Sequence, residues 1–201
     1  INEIATRNTA QVVRDVNPDV LAVVECEGRH ALREFSHQLL PLAGGETFDN
    51  IMLIDGNDDR GIDVGLMSRR GYDIGWMQSH ADDKTTLGEY VFSRDCPEFG
   101  VRATNRETVW VLVNHFKSKG YGKASDSDAK RLRQAQRIRK LVDAHLSAGH
   151  EYVAVLGDFN DTPDSAPLAP LLALGSKLRD ISAFAGFDDG GRPGTHGNCT
   201  A

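Results

Sequence analysis

Short, fully apolar, β-branched runs recur along this chain and constrain its fold more than any other feature. DVLAVVE, Asp19 to Glu25, lacks polar–apolar alternation, as expected for a strand covered on both faces. YVAVLGD, Tyr152 to Asp158, reads the same way. Further strand signals lie at Ile51–Ile54, Ile62–Ser68, Tyr90–Arg94 and Thr108–His115. Several follow one another across turn-rich stretches with no helix between them, so part of the sheet structure must be antiparallel. Helical spacing appears elsewhere. Ile4, Val12, Val13 and Val16 mark a first helix, stopped by Asn17-Pro18. Leu32, Phe35, Leu39 and Leu40 mark a second over about 29–42. Ser125–Asp128 offer N-cap candidates for a long helix over about 129–148, with Leu132, Ile138, Leu141, Val142, His145 and Leu146 as its buried stripe. A short helix around Leu168–Leu174 and a Gly-rich loop, DDGGRPGTHGNCTA, complete the pattern. One α/β domain over 1–201 accounts for all of it.

Composition narrows the function classes. With 40% hydrophobic and 26% charged residues the chain has a globular balance, and no apolar run approaches the roughly 18 residues a membrane helix needs. The opening INEIATRNTAQVVRDVNPDV is polar and amphipathic, unlike a signal peptide, and lacks an initiator Met, so the compartment, cytoplasmic or exported, stays open. A net charge of −6 argues against coating nucleic acid by electrostatics alone, although a metal ion and a local basic patch can still serve a nuclease. Cys26, Cys96 and Cys199 have no C-x-x-C spacing and fit packed or free thiols, or one disulfide. Asn198-Cys199-Thr200 has the form of a glycosylation acceptor and carries no weight.

Chemistry-bearing residues gather at strand exits. VAVLGDFNDTPDS delivers Asp158 and Asn160 beyond a buried strand, where α/β sheets tend to place ligand sites. Residues two apart in an extended chain face the same way, so Asp158 and Asn160 are expected to face one site together, and a carboxylate beside an amide suits an attacking water and a phosphoryl oxygen. The same residues also fit an Asp-Asn turn closing the strand. WVLVNHFKSKG ends in Asn114, His115, Lys117, Ser118 and Lys119; a His there can donate to a phosphate oxygen and the lysines can offset its charge. Glu25 follows DVLAVV and makes a hard-cation ligand, and EYVFSRD places Arg94 and Asp95 at another expected strand end.

In combination, PDVLAVVE, GIDVGLMSR, VNHFKS and GDFNDTP resemble the endonuclease/exonuclease/phosphatase superfamily from Asn17 to Thr200. The resemblance implies a deoxyribonuclease I-like four-layer α/β/β/α sandwich of mixed, mostly antiparallel sheets and metal-dependent phosphodiester hydrolysis. It implies that Glu25, together with Asp158, binds Mg²⁺, with Mn²⁺ or Ca²⁺ as substitutes. It implies further that His115 contacts the scissile phosphate, Asp158 positions and deprotonates water, Asn160 orients phosphate or water, and Arg94 and Lys117 bind phosphate. Arg60 or Asp63 lies near a position where relatives carry Tyr. VNHFKSKG looks most like bacterial nuclease-type members, pointing to DNA or RNA as substrate, and a monomer is expected. A phosphatase, a phospholipase-type esterase and a non-catalytic binding domain are the alternatives.

The departures are Val24 where the family usually has Gln, a first-strand Asn ligand expected before Ile1, and a terminal Asp-His pair expected after Ala201. His196 sits too early to replace that His. Residues 1–201 alone are therefore expected to be weak or inactive. Near the site, KSKGYGK adds Lys117, Lys119 and Lys123 with Tyr121 for stacking, whereas Lys130, Arg131, Arg133, Arg137, Arg139 and Lys140 read as a solvated helix face. DGNDDRGID fails as a calcium loop because Arg60 replaces the turn Gly and Leu66 the bidentate Glu. GYGKAS is not a P-loop, since Ala124 follows its Lys.

Overall fold

The computed structural model describes residues 3–120, 122–188 and 190. Tyr121, Asp189, His196, Cys199 and the Asn198–Thr200 acceptor lie outside the described residues.

The chain runs α1 (Glu3–Val16), β1 (Val20–Cys26), α2 (Arg29–Glu34), a π-helical turn (Phe35–Leu39), α3 (Leu40–Leu42), β2 (Asn50–Ile54), β3 (Asp63–Ser68), β4 (Asp73–Gln78), β5 (Glu98–Arg102), β6 (Thr108–His115), α4 (Ala124–Ser147), β7 (Tyr152–Asp158) and α5 (Ala169–Leu172). Two sheets form: β1-β3-β2, all antiparallel, and β4-β5-β6-β7, antiparallel except for the parallel β6–β7 pair. A parallel pair needs a long crossover, and α4 supplies it.

The continuous apolar runs are explained by burial on both faces. Leu66 and Met67 are neighbours on β3, and both are fully buried. Leu66 packs between the sheets with Val64, Phe99, Val101, Val111 and Val113. Met67 turns the other way, into an outer layer with Ala10, Val13, Leu32, Leu40 and Phe48. On β6, Leu112 faces Ile138, Val142 and Leu168 in the opposite outer layer. The result is the expected α/β/β/α stacking. No described helix is long and apolar enough to cross a membrane.

Several sequence readings require correction. Tyr90–Arg94 is not a strand; it belongs to a long connection closed by turn hydrogen bonds such as Val91 N to Asp83 O, 2.8 Å. The true strands there are β4 and β5, which the pattern concealed behind Gly75, Pro97 and Gly100. The first helix buries Ala10 and Val13 and leaves Ile4, Val12 and Val16 exposed. The long helix starts at Ala124 with Lys123 as N-cap, so Ser125 and Asp126 lie in its first turn. Its buried stripe is more polar than expected, with Leu132 only half-buried and Ser127, Arg131 and Gln134 inside. Leu174 is exposed beyond α5. Cys26 and Cys96 are free thiols, Cys96 within the core.

Candidate active site

Three strand ends from two sheets meet at His115. Its Nε2 lies 3.9 Å from Glu25 Oε1 and 3.9 Å from Asp158 Oδ2. Glu25 comes from β1; His115 and Asp158 are register partners at the ends of β6 and β7. The imidazole is buried, with a side-chain exposure of 3%, whereas the two carboxylates are 63% and 52% exposed. A buried ring therefore lies beneath two exposed acids.

Local backbone geometry sets this up. Glu25 has φ 58, a left-handed conformation that side chains avoid, beside the bulge that interrupts the β1–β3 register after Val23. The bulge aims Glu25 out of the sheet. At β7, Gly157 has φ +127, and a Cβ there would stand 1.9 Å from Asn114 O. Only Gly lets β7 approach β6 this closely and bring Asp158 beside His115.

Asp158 and Asn160 do not share a face of an extended strand, because Asn160 has φ 52. They form the Asp-Asn turn instead: Asn160 N donates to Asp158 Oδ1 at 2.8 Å. Asn160 Nδ2 donates to Phe116 O at 3.1 Å, tying the amide to the end of β6. One carboxylate oxygen of Asp158 is thus committed to the turn and the other faces His115.

Arg94 reaches the site from the β4–β5 connection and not from a strand tip. It is 4% exposed, with Nε 2.8 Å from Asp58 Oδ2. Gly56 makes room for it, since a Cβ there would meet Asp95 N at 2.7 Å and Arg94 Cα at 2.8 Å. Hydrogen bonding from Arg60, with help from the Arg94 charge, pulls the Asp58 carboxyl down to about 2. Burial, then the Arg94 charge, lowers the His115 pKa against the opposing pull of Asp158 and Glu25, which favours the neutral ring. Arg60 acts on His115 in the same direction. Asp63 is occupied elsewhere, accepting from Gly56 N at 2.7 Å.

A family model described as Endonuclease/Exonuclease/phosphatase family matches residues 1–184. The chain belongs to the endonuclease/exonuclease/phosphatase family. Members of this family are hydrolases of phosphoesters. No curated protein matches the sequence. Among solved structures, this family member is similar to TDP2 from Caenorhabditis elegans (15% identity, TM-score 0.57, covering 80% of this chain and 44% of that one). It is similar to the human Nocturnin catalytic domain (12%, 0.60, 82% and 60%) and to sphingomyelinase C from Streptomyces griseocarneus (18%, 0.59, 84% and 62%). At these identities the likeness establishes the fold. The chain spans less than two thirds of each of these proteins.

Two residues of this family member escaped the sequence reading. Arg131, assigned to a solvated face, is fully buried: its Nε bonds Asp161 Oδ2 at 2.9 Å, its Nη1 bonds Lys117 O at 2.9 Å, and its Nη2 bonds Asp128. Asp161 also accepts from Lys119 Nζ at 2.6 Å. This pair fastens the loop carrying Asn160 to the loop following His115. An acid directly after Asp-x-Asn was the available signal, but its partner lies 30 residues away in sequence, where no local pattern reveals it.

Proposed function

We propose that the protein is a divalent-metal-dependent phosphodiesterase, most simply a nuclease acting on DNA or RNA. The observation that carries this reading is the placement of Glu25 and Asp158 at equal distance from a buried His115. The donor set fits a hard cation. Glu25 and Asp158 offer exposed carboxylate oxygens at one opening, and Mg²⁺ typically takes one or two carboxylates and keeps several waters. No group of three or more His, Cys, Asp or Glu able to hold a metal occurs among the described residues, and two carboxylates would leave most coordination positions to water. Mn²⁺ and Ca²⁺ accept the same oxygens. When bound, such a cation offsets the charge that develops on the phosphoryl and leaving oxygens.

The chain's own groups supply the rest. Asp158 Oδ2 holds a water against phosphorus and takes its proton as the new P–O bond forms and the opposite P–O bond breaks, leaving the cation to Glu25 and to the second lone pair of Asp158 Oδ1. The leaving oxygen is protonated by solvent. His115 Nε2, which faces both carboxylates, donates a hydrogen bond to a non-bridging oxygen. Arg94 adds positive charge beside that oxygen, Lys117 adds it from the α4-side cavity that it lines, and the second amide proton of Asn160 orients the phosphate or the water.

The test is Asp158→Asn in the intact protein with Mg²⁺, assayed on bis(4-nitrophenyl) phosphate. Losing the base should lower turnover by about 10²–10⁴ with an unchanged circular-dichroism spectrum. Near-wild-type turnover in the folded variant refutes the role. Comparing plasmid DNA, RNA, a sugar phosphate and sphingomyelin then separates a nuclease from the phosphatase and sphingomyelinase activities named among the structural relatives.

A further inference from the structure

Beside the site, on its α4 side, lies a cavity of about 540 Å³ whose walls include Glu89, Tyr90, Lys117, Asp126, Lys130 and Arg133. Lys117 stands two residues beyond His115, so their Cα atoms are within about 7 Å and the cavity adjoins the proposed catalytic opening. Lys130 and Arg133 are three apart on α4 and project from one face of it.

Two cations of this cavity, Arg133 and Lys130, are poorly balanced from within. Arg133 meets Glu89 at 3.6 Å, but these side chains are 39% and 61% exposed, which makes the pair weak. Lys130 is half-buried, and among the described residues no acceptor lies within hydrogen-bond or ion-pair distance of its ammonium group. Burial, then the charges of Arg133 and Lys117, lower the Lys130 pKa; Glu89 opposes and Arg94 adds to the lowering. A cation left half-buried among cations costs folding energy unless an anion joins it. The adjacent wall carries Tyr90, 41% exposed, with Lys84 Nζ 4.5 Å from its ring centroid; its ring is an aromatic surface suited to a base, and its hydroxyl can donate to a phosphate oxygen.

We propose that this cavity is a second phosphate site. In it, Lys130 and Arg133, with Lys117, hold the phosphate next to the scissile one in the same polynucleotide strand, with Tyr90 against its nucleoside. The inference rests on the phosphodiesterase reading of the adjoining site and extends it to substrate class: a strand bearing consecutive phosphates.

The experiment compares the wild type with Lys130→Met and Arg133→Gln in the intact protein. Substrates are TpT and UpU, the same dinucleotides with an added 5′- or 3′-phosphate, and bis(4-nitrophenyl) phosphate. The wild type should favour one of the phosphate-extended dinucleotides by at least about tenfold in kcat/KM. Either substitution should abolish that preference and leave turnover of bis(4-nitrophenyl) phosphate unchanged. Equal losses on every substrate overturn the proposal.

If no phosphodiester is hydrolysed, the phosphodiesterase reading fails by itself, and binding decides the cavity. The anisotropy of fluorescein-labelled single strands is then titrated against salt. Loss of one phosphate contact should make the slope of log K against log salt shallower by about 0.7, and unchanged affinity and slope refute the site. Inorganic phosphate binding as tightly as the strand, with both lost in Lys130→Met, means that the cavity takes a lone phosphate and refutes the strand reading. Lys130→Met keeps the buried stem, so the thermal midpoint should hold or rise. A clear fall marks a structural lysine and overturns the proposal.

Discussion

Gly157 decides how close the strand ends carrying His115 and Asp158 come. Its φ of +127 and the 1.9 Å clash awaiting any Cβ against Asn114 O leave no tolerated side chain. Gly157→Ala should destabilise the protein by at least about 3 kcal/mol in urea unfolding, because both the backbone conformation and the strand spacing are lost. An alanine variant within 1 kcal/mol, on the order of an ordinary surface change, contradicts this. The residue scale also marks the limit of the sequence reading. Glu25, His115, Asp158 and Asn160 stood out because polar groups follow apolar runs. Their conformations did not: φ 58 at Glu25 and φ 52 at Asn160 depend on a bulge and a turn that no spacing encodes.

Between elements, buried polar contacts position what the backbone alone leaves loose. Glu98, on β5 and 4% exposed, accepts from His80 through one carboxylate oxygen and from His145 of α4 through the other. His80 in turn bonds Asp83 at 3.0 Å, and its backbone N donates to Asp95 at 2.7 Å, so the network braces the connection that carries Arg94. Burial alone would raise the Glu98 pKa, but the hydrogen bonds from His80 and His145 override it and the net shift is downward. A carboxyl depressed on folding contributes stability that is present above its unfolded value, near 4.5, and lost as pH falls through the folded value. Glu98→Gln should therefore cost about 3–5 kcal/mol at pH 7 and flatten the loss of stability below that value, measured by denaturant midpoints across pH. A variant with wild-type acid sensitivity would remove Glu98 from the account. None of these partners was legible locally. β6 and β7 read correctly because their apolar runs are uninterrupted, whereas β4 and β5, interrupted by glycines and preceded by a proline, were displaced onto the Tyr90–Arg94 stretch.

For the whole molecule, the site spans the sandwich. Glu25 belongs to one sheet and His115 and Asp158 to the other, so their spacing depends on the apolar layer between the sheets and not on the outer layers. Leu66 and Leu40 allow a controlled comparison: both are fully buried leucines, Leu66 between the sheets and Leu40 under the α1–α3 layer. Truncating either to Ala should cost about 2–5 kcal/mol, through lost transfer energy and a residual cavity. Their effects on chemistry should differ. Leu66→Ala relaxes the separation of the two sheets, and a shift of about 1 Å at a reacting centre can cost on the order of 10²-fold in rate. Leu40→Ala leaves that separation alone. Turnover of bis(4-nitrophenyl) phosphate, measured well below each variant's unfolding transition, should fall steeply for Leu66→Ala and remain near wild type for Leu40→Ala. Equal residual turnover would show that Glu25 and His115 need not be held in register across the sandwich, and the distance relation at the centre of the proposed mechanism would lose its meaning.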